Sequence, residues 1–282
     1  MKVLTAKTAG FCFGVERAVR EALSAAENHA AVYTYGPIVH NETVIRDLEE
    51  KGIRTILDET ELSDIPKGST ILIRAHGIPK ELEEKLRNHG FNLIDATCPF
   101  VKKIHRIAEK YASEGYRIVI AGNPDHPEVV GIRSYAGKQA VVLSSAEELH
   151  AQIPDSEEKI CLVAQTTFNH ENFKKVVAKI QDIGYNANIA DTVCSATRER
   201  QEEAADLASR ADVMIVIGGR DSSNSQKLYE ICRKNCNRTY FIQTAADLCN
   251  DWWCGVNIVG ITAGASTPKT IIQEVQTNVR KF

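Results

Sequence analysis

The sequence has no Cys-x-x-Cys pair, no Gly-x-Gly-x-x-Gly after a strand and no Gly-rich loop ending in Gly-Lys-Ser/Thr. The first absence argues against the usual structural zinc sites and paired-thiol redox motifs. The other two leave no recognisable nucleotide pocket, so any electrons the protein uses have to come from outside the chain. Charge of one sign is also missing. With 34 basic and 37 acidic residues the net charge is −3, which gives no support for a nucleic-acid or membrane-surface role. Long apolar runs are absent too; Val213 to Ile217 is about the longest, far short of a membrane span. No export signal is visible, because the first apolar run is short and Glu16, Arg17 and Arg20 follow it. The sequence therefore reads as cytoplasmic, where its 8 cysteines are metal ligands, catalytic groups or core residues and not a disulfide framework. A hydrophobic content of 43% over 282 residues describes an ordinary globular chain, one large domain or a few small ones.

What is present is a repeated cysteine context. Thr8-Ala9-Gly10-Phe11-Cys12-Phe13-Gly14-Val15 follows a short β-rich run and opens a helix, marked by Val15, Ala18, Val19, Ala22 and Ala26 at helical spacing. Phe91 to Pro99, around Cys98, and Asn188 to Ser195, around Cys194, repeat the order strand, turn, cysteine, helix. The three cysteines stand close to one third of the chain apart, which marks an internal repeat. A thiol at a helix N-terminus faces the positive end of the helix dipole, which favours thiolate, the metal-binding form.

The segments between the cysteines also match. Strands at 32–35, 117–121 and 213–217 run into polar loops and a helix. Short strands near 55–57, 141–143 and 240–242 lead to capped helices. Third strands at 70–74, 160–164 and 257–261 follow. Strands alternating with helices predict an α/β fold of parallel sheets built from βαβ units, with the loops after the strands gathered on one sheet edge, where ligands bind. The expected organisation is three pseudo-threefold-related αβα units with small, mostly parallel sheets, arranged as a trefoil around a common centre. The first unit spans 14–97 and the second 98–193; the third spans 194–282 and is completed by the N-terminal strand, 1–13. The helix after Cys194 is nearly all charged from Arg198 to Glu203, so its buried face has to be narrow.

Three thiolates meeting at a centre give a metal site with three protein ligands. Ligands far apart in sequence and without Cys-x-x-Cys pairing fit an iron–sulfur cluster with one iron left open, as Lewis acid or electron donor to a substrate. The competing reading is three equivalent structural cysteines. The remaining loop ends supply His40, Asn41, His76, His126, Glu128, Thr166, Thr167, Ser222, Ser223, Asn224 and Ser266. Histidine, hydroxyl and amide donors at helix N-termini make an anion site, most naturally for phosphate groups; taken singly, each histidine also reads as a solvated loop residue. Glu128 is the candidate proton donor, since a shielded carboxyl has a raised pKa. Its alternative role is to cap the helix beginning near Pro127. Cys161, Cys232, Cys236, Cys249 and Cys254 read as structural, with a second metal site at Cys232 and Cys236 as the alternative. On function, the rivals are a non-redox dehydratase or isomerase and an iron–sulfur sensor without catalysis.

The motifs Ala9 to Val15, Gly36-Pro37-Ile38-Val39-His40-Asn41, Arg74-Ala75-His76-Gly77, Asp95-Ala96-Thr97-Cys98-Pro99, His126-Pro127-Glu128-Val129, Gln165-Thr166-Thr167, Asp191-Thr192-Val193-Cys194, Ser222 to Ser225 and Ala263 to Ser266 resemble those of the 4-hydroxy-3-methylbut-2-enyl diphosphate reductases of the non-mevalonate isoprenoid pathway, over essentially the whole chain. The resemblance implies a trefoil around a 4Fe–4S cluster held by Cys12, Cys98 and Cys194, with the substrate hydroxyl on the fourth iron. It implies a diphosphate held by His40, His76, His126, Ser222, Ser223, Asn224 and Ser266, with Thr166 near the hydroxyl and Glu128 helping to deliver protons. Reductive loss of the hydroxyl would give isopentenyl and dimethylallyl diphosphate, with electrons from a ferredoxin or flavodoxin.

Overall fold

The computed structural model describes residues 1–29, 31–154 and 157–282. In chain order the elements are β1 (Lys2–Thr5), α1 (Phe13–Asn28), β2 (Val32–Tyr35), α2 (Glu42–Glu49), β3 (Ile53–Ile56), β4 (Thr70–Ile73), α3 (Lys80–Asn88), β5 (Asn92–Asp95) and α4 (Pro99–Ser113). There follow β6 (Arg117–Ala121), α5 (Pro127–Tyr135), β7 (Val141–Leu143), α6 (Leu149–Gln152), β8 (Lys159–Ala164), α7 (His170–Ile183), β9 (Asn186–Ile189) and α8 (Ser195–Arg210). The chain closes with β10 (Val213–Ile217), α9 (Ser223–Asn235), β11 (Thr239–Ile242), β12 (Ile258–Ala263) and α10 (Lys269–Val279).

The strands form three four-stranded sheets, ordered β3-β2-β4-β5, β7-β6-β8-β9 and β11-β10-β12-β1. Every pairing is parallel. The same order recurs three times: short strand, first strand, third strand, then the edge strand that leads into a cysteine. The N-terminal β1 takes that edge place in the last sheet, pairing Lys2 with Ile258 and Thr5 with Ile261.

The chain divides into two compact bodies. One consists of Met1–Glu16, Val39–Asp47 and Ser195–Phe282 and contains the β11-β10-β12-β1 sheet; the other consists of Arg17–Ile38 and Leu48–Cys194 and contains the remaining two sheets. Period-two alternation buries both faces of the central strands. In the second body Val119, Ala121, Leu162 and Ala164 pack with Phe173, Val176 and Ile180 of α7, while Ile118, Ile120, Cys161 and Val163 pack with Ile104 and Ala108 of α4 and Val129 and Ile132 of α5. In the first body Val213, Ile215, Val259 and Ile261 face α10, and Met214 and Val216 face α8 and α9.

The helices after the short strands are shorter than expected. Glu59–Asp64 and Ala245–Asp247 are 3-10 turns behind full capping boxes, Asp58 with Glu61 and Thr244 with Asp247. The cap is present but the helix cannot continue: Ile65 stands before Pro66 and is already extended at φ −85°, ψ 129°. Helix α8 does have the narrow buried face its charge predicts, made of Thr197, Arg200, Gln201, Ala204, Leu207 and Ala208.

Candidate active site

Each of the three repeated cysteines lies immediately before a helix: Cys12 before α1, Cys98 before α4 and Cys194 before α8. All three are half-buried. Each backbone N–H donates to the loop that follows the neighbouring strand of its own sheet, Cys12 to Ala265 O (3.3 Å), Cys98 to Ala75 O (2.9 Å) and Cys194 to Thr166 O (3.0 Å). The cysteine turns are therefore built alike. Gly10 has φ +111°, a conformation an L-residue rarely adopts, so glycine is required just ahead of Cys12. Asp95 accepts from Thr97 N (2.9 Å) and Asp191 from Val193 N (3.2 Å), closing an aspartate turn ahead of Cys98 and Cys194. These aspartates had no assigned role in the sequence reading; the signal that would have found them is an aspartate at the same distance before both cysteines.

Of the other five cysteines, Cys161, Cys232 and Cys236 are buried, as structural residues should be, whereas Cys249 and Cys254 are exposed and lie outside the core. Cys161 and Cys232 are fully buried in strand and helix packing. Burial pushes the Cys161 thiol up to about 11 and that of Cys232 up to about 12. The Cys232 and Cys236 thiols donate to the backbone oxygens of Ala204 and Ala211, the behaviour of structural thiols.

In the second body the loop after β6 supplies His126 and Glu128. His126 caps α5, its Nδ1 accepting from Glu128 N at 3.1 Å, with Pro127 in the first helical position. Acceptance at Nδ1 leaves Nε2 as the protonated nitrogen of the neutral ring, a donor. The His76 ring meets the His126 ring edge-on, centroids 5.3 Å apart. Glu128 is 1% exposed. Its carboxylate accepts from Thr166 N (2.6 Å) and Thr166 Oγ1 (2.7 Å). Burial pushes the Glu128 carboxyl up to about 7, against the two Thr166 hydrogen bonds, which favour the ionised form. The capping alternative is only partly right: Glu128 occupies the first turn of α5, but its carboxylate reaches across to the loop after β8. Gln165, another residue without an assigned role, ties the same loops together. Its Oε1 accepts from Asn123 N (3.1 Å) and its Nε2 donates to Thr167 Oγ1 (2.9 Å).

A stability test follows from the raised carboxyl. The folded protein binds this proton more tightly than the unfolded chain, whose glutamate has its ordinary pKa near 4.5. That contribution is fully present below about pH 4.5 and is lost as pH rises through about 7, on the order of 3 kcal/mol in all. The urea midpoint of the wild-type apoprotein should fall between pH 5 and pH 8 by more than that of Glu128→Gln; equal slopes would contradict the assignment.

In the first body the loops after β2, β10 and β12 gather a second polar group. Ser222 caps α9, accepting from Ser225 N (3.3 Å), and Ser225 Oγ donates to Ser222 Oγ (2.9 Å). Ser266 Oγ donates to His40 O (3.1 Å). Asn224 is 4% exposed, and neither its Oδ1 nor its Nδ2 has a hydrogen-bond partner among the described residues. A buried amide without partners is costly unless a ligand completes it. Ser223 begins α9 directly beside it. A Cβ at Gly219 would lie 2.3 Å from His40 O, a backbone atom that cannot swing aside. Gly219→Ala should therefore lower the urea-unfolding free energy by about 1–3 kcal/mol; an unchanged midpoint would mean the His40 segment yields freely.

Fold and loop ends together define a class: a parallel α/β protein with a cysteine at the edge of each of three sheets, serine, asparagine and histidine side chains at the loop ends, and a buried carboxyl whose pKa burial pushes up to about 7. The chain belongs to the LytB protein family, whose sequence profile matches residues 3–280. It is 46% identical to a 4-hydroxy-3-methylbut-2-enyl diphosphate reductase of Geotalea uraniireducens and 43% identical to one of Caldanaerobacter subterraneus, covering 100% of this chain and 98% of each relative. Among solved structures, (E)-4-hydroxy-3-methyl-but-2-enyl diphosphate reductase, described as the terminal enzyme of the non-mevalonate pathway, matches at 40% identity and TM-score 0.71 over all of both chains. The E-1-hydroxy-2-methyl-but-2-enyl-4-diphosphate reductase of Plasmodium falciparum matches at 29% identity and TM-score 0.92, covering 99% of this chain and 87% of that one.

Proposed function

We propose that this protein is a cytoplasmic reductase that removes the hydroxyl of 4-hydroxy-3-methylbut-2-enyl diphosphate to give isopentenyl and dimethylallyl diphosphate. Membership of the LytB family implies an iron–sulfur cofactor, and the proposal assigns it as a 4Fe–4S cluster on Cys12, Cys98 and Cys194, one following the edge strand of each sheet (β1, β5 and β9), with 14–97, 98–193 and 194–282 plus 1–13 as the three repeats. The donor set fits such a group: three half-buried cysteines in matching turns, each at a helix N-terminus. No helix among the described residues is long and apolar enough to cross a membrane.

When bound, the cluster would relay two electrons, one at a time, from an external donor and would offer a Lewis-acidic iron with an open position. The protein's own residues do the rest. Neutral donors bind the diphosphate: the unpartnered amide of Asn224, the hydroxyls of Ser222, Ser223 and Ser266, and the rings of His40, His76 and His126. Each helix N-terminus behind these residues adds a favourable dipole for an anion. Thr166 and Thr167 face the reacting end, with Thr166 placing its hydroxyl on Glu128. The balance is one C–O bond broken and one C–H bond formed, with two electrons and two protons consumed and water released. Glu128 holds a proton for this step, and Thr166 Oγ1 is its link to the substrate hydroxyl. His126, whose backbone precedes Glu128 and whose ring orders the first turn of α5, is the second catalytic group.

The observation carrying this reading is the fully buried Glu128 carboxyl, pinned by Thr166 N and Thr166 Oγ1, with burial pushing its pKa up to about 7. A reduction that consumes protons in a dry site needs such a donor. The test is anaerobic turnover of the diphosphate by reconstituted protein with and without a low-potential donor such as reduced ferredoxin or flavodoxin. Both alkene diphosphates should appear only with the donor; product formed without net electron input would overturn the reductase reading in favour of a dehydratase or isomerase.

A further inference from the structure

Two arginine–carbonyl contacts, from half-buried Arg17 and buried Arg200, stand outside the chemistry above. Arg17 lies on α1, five residues beyond Cys12, yet it serves the turn of Cys98: its Nη1 donates to Thr97 O (2.9 Å) and its Nη2 to Asp95 O (3.0 Å). Arg200 lies on α8, six residues beyond Cys194, and serves the turn of Cys12. Its Nε and Nη2 donate to Thr8 O (2.9 and 2.5 Å), and Nη2 also donates to Gly10 O (2.8 Å). Arg200 is only 4% exposed. One turn further along α8, Glu203 accepts from Lys7 N (2.7 Å), Thr8 N (2.8 Å) and Thr8 Oγ1 (2.6 Å).

We infer that Arg17 and Arg200 are positioning residues for the cluster ligands. Each uses its guanidinium fork to fix the turn that presents a cysteine far away in sequence; this rests on the iron–sulfur reading above. An arginine is rarely buried unless its donors are used. Here the donors are spent on backbone oxygens one to four residues before a proposed ligand cysteine. The planar fork spans two carbonyls with fixed, separated donors, a geometry that the single nitrogen of a lysine does not reproduce. The pattern occurs twice and runs in one direction. The helix that follows the first cysteine holds the second, and the helix that follows the third holds the first. Cys194 is held by nearer means: Thr192 Oγ1 accepts from Ala164 N and donates to Ala164 O, both at 2.7 Å. By fixing the backbone of each of these two turns, the protein sets how the turn presents its sulfur before any metal arrives, which is what support behind a metal's direct ligands accomplishes.

The test compares Arg17→Met and Arg200→Met with wild type after anaerobic reconstitution. The readouts are the rate of iron release to a ferrous chelator, the electron paramagnetic resonance spectrum of the reduced protein, and the urea midpoint of each apoprotein. Iron release should quicken by about 10–100-fold with an altered spectrum, while the apoprotein stays folded. Arg17→Lys and Arg200→Lys keep the charge and lose the fork, so they should fall between; if a methionine variant does not fold, its lysine counterpart decides. Release within about twofold of wild type and an unchanged spectrum would overturn the inference even if the apoprotein were less stable. A wild-type protein that assembles no cluster at all would overturn the iron–sulfur reading itself, and this inference with it.

Discussion

Glu128→Gln should lower turnover by about 10²–10⁴-fold while leaving iron and sulfide content at wild-type levels. The glutamine amide can keep one of the two Thr166 contacts, since its oxygen accepts from Thr166 N as Glu128 Oε1 does at 2.6 Å. It cannot release a proton. Binding of the diphosphate is expected to survive, because the proposed anion donors lie on other side chains, so the loss should fall on kcat and not on KM. The pH profile sharpens the test. A carboxyl pushed up to about 7 by burial makes wild-type kcat fall as pH rises through that value, and the variant's residual rate should lack this limb. A variant with normal kcat would remove Glu128 from the mechanism and leave its burial unexplained.

Serine in place of Cys12, Cys98 or Cys194 should have the larger effect. Each substitution should cost turnover more than the about 10²–10⁴-fold expected of losing the proton donor, with loss of the visible absorbance of the reconstituted protein. A serine hydroxyl remains protonated at neutral pH and is a hard, poor ligand for iron–sulfur centres, whereas thiolate is the favoured one. The same exchange at Cys161 or Cys232 should leave iron content unchanged, because those thiols are buried in packing and donate or face only backbone and apolar groups. Iron and sulfide assays on the five variants separate the ligand set from the structural set. Full cluster content in any one of the three serine variants would take that cysteine out of the ligand set.

The strand positions and their parallel sense were legible because strands alternating with helices imply βαβ units, while the order of the strands within each sheet came only with the structure. Strands at 32–35, 117–121 and 213–217 appear where the apolar runs put them. The short helices were not legible in length, because a capping box marks where a helix starts while the stop near Ile65 depends on the proline after it. The role of Glu128 was half-legible. Its motif marked a helix start, but its contact with Thr166 joins residues from two different strands' loops. Gln165, Arg17 and Arg200 carried no local signal of their partners, since a polar side chain on a helix or loop looks the same in sequence whether it meets solvent or a distant carbonyl.

The sequence by itself determined the threefold repeat, the alternation of strand and helix, the three cysteine turns and the loop-end residues, all of which follow from short-range periodicity and turn chemistry. Tertiary structure alone decided which of those residues are dry and what they touch: the protonation of Glu128, the unpartnered amide of Asn224, the buried fork of Arg200. Desolvation and hydrogen-bond satisfaction depend on atoms brought together from distant parts of the chain, so no local pattern encodes them.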